Sequence, residues 1–175
     1  MDPIEKQYFV LATDYDVVDY VINFEDERSL DIKLDRELVF EKAAQFECLD
    51  FASLVKKEVN FDISIDCEML FSTKYQELFN NGGFHKTSVV PANVGHKPYL
   101  YIHCYNIIEC IEAETLNLEK LNNIPLDKRL IFKPSIGSLH TYFHKDVVEK
   151  LQAICPPKDV RIIELSNWSP KCEFS

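Results

Sequence analysis

The chain has 175 residues, which suits one domain with a sizeable core. Apolar residues make up 46% and aromatic residues 12%, which excludes wholesale disorder, while only 4 glycines leave little material for a glycine-rich phosphate cradle. The net charge of -10 sets the chain against phosphate backbones and so against direct nucleic-acid binding.

In chain order, the apolar run at residues 8–12 predicts a strand, and residues 17–24 (VVDYVINF) a second. A charged turn follows at residues 25–29, and the alternation of Leu30, Ile32 and Leu34 predicts a half-buried strand. Residues 37–46 lean to a short helix, and alternation returns at Val59, Phe61, Ile63 and Ile65. At Thr73 the sequence fits a capping box, Thr as N-cap with Gln76 three residues on, and predicts a helix over residues 73–80 stopped by Asn80-Asn81-Gly82-Gly83. Residues 88–91 read as a strand, 93–97 as a loop, and 98–110 as the most β-prone stretch, with Tyr99, Tyr101, His103 and Tyr105 on one side. Alternation at Leu116, Leu118 and Leu121 is broken by Pro125. Short strands are expected at 130–132, 140–143 and 160–165, with a helix over 145–153 between the last two.

The fold class is therefore α+β: a mixed or mainly antiparallel sheet with two or three short helices, in one domain over residues 1–175. Residues 69–91 and 139–165 share one layout, strand, polar cap, short helix, stop, strand, so the second half is quasi-duplicated. The expected core is Phe9, Leu11, Phe61, Ile63, Tyr75, Leu78, Leu100, Ile102, Ile107, Phe132, Val148, Leu151 and Ile163.

Charge is unevenly placed. Residues 1–68 hold 18 Asp and Glu against 7 Lys and Arg, a net of -11, and residues 69–175 hold 11 against 12, a net of +1. Asp14, Asp16, Asp19, Glu25, Asp26 and Glu27 flank two expected strands and their turn, where they can crowd one rim and steer a basic partner. Asp62 and Asp66 read as solvent-facing protection of a strand edge.

Catalytic patterns are sparse. Six dispersed cysteines without a CxxC pair read as reduced thiols. GxSxG, GxxxxGK[ST] and GxGxxG do not occur in the sequence. Cys104 falls in mid-strand, and Cys155 stands before Pro156 without a local motif. His140 and His144 are weak metal candidates: four apart, they would share one helical face, but the glutamate of a metalloprotease motif is missing and an extended chain would part them by roughly 13 Å. No cofactor is expected. The start of the chain lacks a basic stretch followed by an apolar one, and no apolar run reaches the ~18 residues of a membrane span, so a soluble cytoplasmic protein is expected.

The second half resembles bacterial immunity proteins of polymorphic toxin systems. The similarity is carried by Phe71-Ser72 leading into residues 73–78, by residues 87–91, by 99–102 through 106–112, by 130–133, and by 143–151 closing with 160–165. It covers about the last three-fifths of the chain. The resemblance implies a cytosolic protein that neutralises a cognate protein toxin by stoichiometric occlusion, through an interface of about 1,200–2,000 Å². Many such toxins are basic nucleases, which an acidic inhibitor face suits. The alternatives are a small cytosolic hydrolase or transferase with a Cys/His site, and an adaptor without enzymatic activity.

Overall fold

A computed structural model describes residues 3–25, 32–66, 68–113 and 115–168. In chain order its strands and helices are β1 (Tyr8–Thr13), β2 (Tyr20–Phe24), β3 (Ala44–Asp50), β4 (Ile63–Ile65), β5 (Met69–Ser72), α1 (Gln76–Gly82), β6 (Thr87–Val94), β7 (Lys97–Cys104), β8 (Ile111–Glu112), β9 (Thr115–Leu116), β10 (Ile131–Phe132), β11 (Tyr142–His144), α2 (Lys145–Ile154) and β12 (Val160–Glu164). The protein is α+β, with mostly antiparallel pairing. One sheet has the order β2-β3-β6-β7-β5-β4, a second β10-β11-β1-β12, and β8 with β9 forms a small ribbon. In the larger sheet β3 and β6 pair in parallel.

The repeated layout has a definite geometry. β5 and β6 each pair antiparallel with β7, so they run parallel to each other with β7 between them and α1 on the connection. β11 and β12 each pair antiparallel with β1, so the same relation recurs with β1 in the middle and α2 on the connection. Both units are thus strand–helix–strand crossovers split around a third strand. Parallel strands need such a crossover, and the helix supplies the length and an apolar face. In α2 that face is Val147, Val148 and Leu151 at helical spacing.

Both helices and both sheets close on one apolar core. It contains Leu11 of β1, Phe71 of β5, Leu78 and Phe79 of α1, Ile102 of β7, Phe143 of β11, and Val148 and Leu151 of α2. Strand periodicity sends the other side chains outward. Tyr99 and Tyr101 of β7 join a second core, with Phe46, Phe61 and Leu38, on the far face of the larger sheet. Tyr8 and Val10 of β1 join a third, with Cys110, Leu121 and Leu165, on the far face of the smaller one. Of the expected core, Phe9, Ile107 and Ile163 are half-buried and the rest are buried.

Several local expectations are corrected. Ile32 and Leu34 belong to an irregular segment, and Leu34 is exposed, while Leu30 lies outside the described residues. The segment 37–43 is irregular rather than helical, because Leu38 and Phe40 cover the second core and the Leu38 N–H donates to Ser88 Oγ at 3.0 Å. Residues 17–18 turn before β2 begins. Around Thr73 the cap is one residue earlier: Ser72 Oγ accepts from Lys74 N–H, and Thr73 opens a 3-10 turn leading into α1. The helix ends as expected, on Gly83 at φ +51°. β6 and β7 run on to a two-residue hairpin, Gly95-His96, with Gly95 at φ +61°, so the loop expected over 93–97 shrinks. Leu116 pairs in β9, whereas Leu121 sits in the 3-10 helix Glu119–Asn123.

Candidate functional site

The acidic residues picked out by the charge pattern fall into two places. Asp14, Asp16 and Asp19 share the loop at 14–19, which leads from β1 into β2. The Asp14 carbonyl accepts from the N–H groups of Val17 (3.0 Å) and Val18 (2.9 Å), and its carboxylate accepts from Asp16 N–H at 3.1 Å, so Asp14 builds the turn. Asp16 and Asp19 point into solvent, with Asp19 held by Lys57 Nζ at 2.7 Å. Glu25 stands at the other end of β2, about 20 Å along the strand by rise per residue. There it shares a side-chain hydrogen bond with Glu47, which raises the Glu25 pKa and lowers that of Glu47, and Lys56 lies 3.7 Å from both. The carboxylates are strung along β2 and β3 rather than crowded on one rim. Asp26 and Glu27 lie outside the described residues.

Beside the first loop lies a second, at residues 50–55 after β3. Phe51 N–H donates to the Asp19 carbonyl at 2.9 Å, and the rings of Tyr15 and Phe51 are 6.2 Å apart. A groove of about 350 Å³ runs between the loops, lined by Tyr15, Val18, Asp19, Asp50, Phe51 and Ala52. Asp50 organises the second loop. Its carboxylate accepts from Ser53 N–H (3.0 Å), Ser53 Oγ–H (3.0 Å) and Ala52 N–H (3.2 Å), its carbonyl accepts from Leu54 N–H, and Lys57 Nζ approaches to 3.6 Å. Leu54 is left at φ +58°, in the left-handed region.

The Ser53 N–H and hydroxyl hold the Asp50 carboxyl below its ordinary pKa. A lowered folded-state pKa contributes stability above the unfolded value and loses it as pH falls through the folded one. In an NMR pH titration the Ser53 and Ala52 amides should therefore move together with the Asp50 carboxyl, below the ordinary midpoint of ~3.9. A midpoint at or above that value would show that the loop is not held this way.

The histidines and cysteines take other partners. His144 is buried, its Nδ1 accepts from Asp146 N–H at 3.1 Å as the N-cap of α2, and burial lowers its pKa. His140 packs on Trp168 with ring centroids 4.7 Å apart. Among the described residues no cluster of three His, Cys, Asp or Glu is placed to hold a metal ion. Cys48, Cys104, Cys110 and Cys155 are free thiols. Burial pushes the Cys104 thiol up to about 11, far from a thiolate at neutral pH. Cys155 is half-buried, with Lys74 Nζ 3.8 Å from its sulfur.

A cavity of about 240 Å³ opens between the sheets, lined in part by Ile65, Glu68, His103, Lys133 and Thr141. Burial raises the Glu68 pKa, with Asp66 adding to the effect. Burial also lowers the pKa of His103, whose Nε2–H donates to the carbonyls of Arg36 (2.8 Å) and Lys33 (3.1 Å). The imidazole thus fastens the irregular segment over the larger sheet.

Sequence reasoning misplaced Asp62 and passed over Asp159. Asp62 is buried, contrary to the expectation of an exposed edge, and pairs with Lys74 while accepting from Lys158 N–H at 3.2 Å. The Asp159 carboxylate, also buried, accepts from the N–H groups of Asp62 (2.6 Å) and Ile63 (3.0 Å). With Thr13 Oγ1 accepting from Ile65 N–H at 2.9 Å, it closes the free edge of β4.

Compared with known proteins, the chain matches no protein-family model and no curated protein. No helix among the described residues is long and apolar enough to cross a membrane.

Proposed function

We propose that the chain is a cytoplasmic immunity protein that neutralises a cognate toxin domain by stoichiometric binding, without turnover. The observation that carries this is the concentration of negative charge in residues 1–68, a net of -11, part of it displayed by Asp16 and Asp19 on an exposed loop. Such a surface attracts a basic partner and repels acidic ones. The thiols and imidazoles add support. Cys104 is buried and protonated, His144 caps a helix, and His103 is engaged with backbone carbonyls. These are structural assignments, which favour binding over Cys/His catalysis.

The proposed function predicts that a large toxin is encoded immediately upstream of this chain, and the test uses the C-terminal domain of that toxin. Co-expression should restore growth and yield a one-to-one complex by light scattering. Charges around an interface act chiefly on encounter, over a Debye length of about 8–10 Å. Reversing Asp16, Asp19 and Glu25 together to Lys should therefore slow association about tenfold or more at low salt and change dissociation less. Absence of a complex would remove the immunity function, and an association rate flat across a salt series would remove the steering role.

A further inference from the structure

We propose that the loops at 14–19 and 50–55 form the apolar centre of the toxin-binding surface, and that the groove between them receives an arginine or lysine side chain from a basic protein partner. The inference rests on the immunity function proposed above and names the surface that performs it.

Among the described residues twelve large apolar side chains are exposed, and five of them stand on these two short loops: Tyr15 (50%), Val17 (66%), Phe51 (60%), Leu54 (64%) and Val55 (63%). Single exposed apolar residues are ordinary, but a cluster on adjoining loops with a polar surround marks an interaction site. Leu54 is the sharpest member. Its φ of +58° is one that glycine adopts freely and that strains a branched side chain, and most of that side chain lies in water. Folding gains nothing from a leucine there, whereas an interface would.

Charge identifies the occupant. The groove has aromatic rings, Tyr15 and Phe51, for the stem of a long side chain, and the Asp19 carboxylate for its cationic head, with Asp50 adding negative charge behind it. Lys57 of the chain itself already answers both carboxylates, at 2.7 and 3.6 Å. An ionised carboxylate offers about four acceptor sites; Ser53, Ala52 and Lys57 fill those of Asp50, whereas the exposed Asp19 carboxylate keeps room for a second cation. Asp66 adds negative charge at the rim, where it accepts from the Tyr15 hydroxyl. An acidic partner would be repelled by the three carboxylates, Asp19, Asp50 and Asp66, which outnumber Lys57 at the centre of contact.

The test follows dissociation from this protein, by surface plasmon resonance, of the C-terminal domain of the toxin that the proposed function predicts to be encoded upstream. Leu54→Gly removes the apolar side chain while easing the backbone, so its thermal midpoint should be equal to or above that of the wild type, and dissociation should be about tenfold faster. Phe51→Ser should speed dissociation by about 10–100-fold. Leu126→Ser, which alters an exposed apolar residue elsewhere, should leave it unchanged. Wild-type dissociation from both Leu54→Gly and Phe51→Ser would overturn the surface assignment while leaving the immunity function standing. Failure of the wild-type chain to bind would overturn that function and the surface with it.

Discussion

Replacing Asp159 by Ala is expected to destabilise the fold by about 2–5 kcal/mol, because two backbone donors buried at the edge of β4 lose their acceptor at about 1–3 kcal/mol each. The carboxylate that accepts from Asp62 and Ile63 N–H is 3% exposed, so water cannot replace it without opening the junction between the sheets. Burial nevertheless holds the Asp159 carboxyl above its ordinary pKa, against the pull of those two hydrogen bonds. A raised folded-state pKa means that the group's contribution is full below the unfolded value and declines as pH rises through the folded one. The gap in stability between wild type and variant should accordingly narrow across that window. Urea titrations of both proteins at several pH values measure it, and a loss below about 1 kcal/mol would show that β4 does not depend on this carboxylate.

Ile102→Ala in β7 and Leu151→Ala in α2 should each cost about 2–5 kcal/mol, the transfer term plus the cavity left in a packed core. Both side chains are 1% exposed and belong to the core that lies between the two sheets. The chain has a single tryptophan, Trp168, packed against the third core on the far side of the smaller sheet. Its fluorescence reports on that sheet. If the shared core joins both sheets into one cooperative unit, Ile102→Ala in the larger sheet should lower the Trp168 transition and the far-UV circular dichroism transition by the same amount. Two separate transitions would divide the chain into independent units.

Much of the fold was legible because it follows from periodicity. Leu100, Ile102 and Cys104 alternate with Tyr99, Tyr101 and His103, and both sets are buried, each on its own face of β7. Val147, Val148 and Leu151 likewise announced α2, and the repeated strand–helix–strand order announced two equivalent units. What the order could not convey was that each unit is split around a third strand, since that depends on pairings with β7 and β1 rather than on any property of the unit itself. The segment 32–43 was misjudged because Leu38 and Phe40 are placed by the sheet face they cover, not by a local period. The candidate surface was half visible. Asp16 and Asp19 stood out by charge, but Phe51, Leu54 and Val55 read as ordinary apolar residues. Their exposure arises from a turn tied by Asp50, whose role no single residue type reveals.

The two split units also assemble on different clocks. In the first, both outer strands and the central β7 lie within residues 69–104, so the set is complete soon after it leaves the ribosome. In the second, the central strand β1 is made first, whereas its neighbours β11 and β12 come more than 130 residues later. At about 5–20 residues per second, β1 waits on the order of ten seconds with both edges unpaired. Its sequence, YFVLAT, is apolar, β-prone and uncharged, the composition that readily finds strands in other chains. The order of synthesis thus makes β1 the segment most in need of a chaperone and the larger sheet the natural scaffold on which the smaller one closes, with β12 fastening the last open edge of β1.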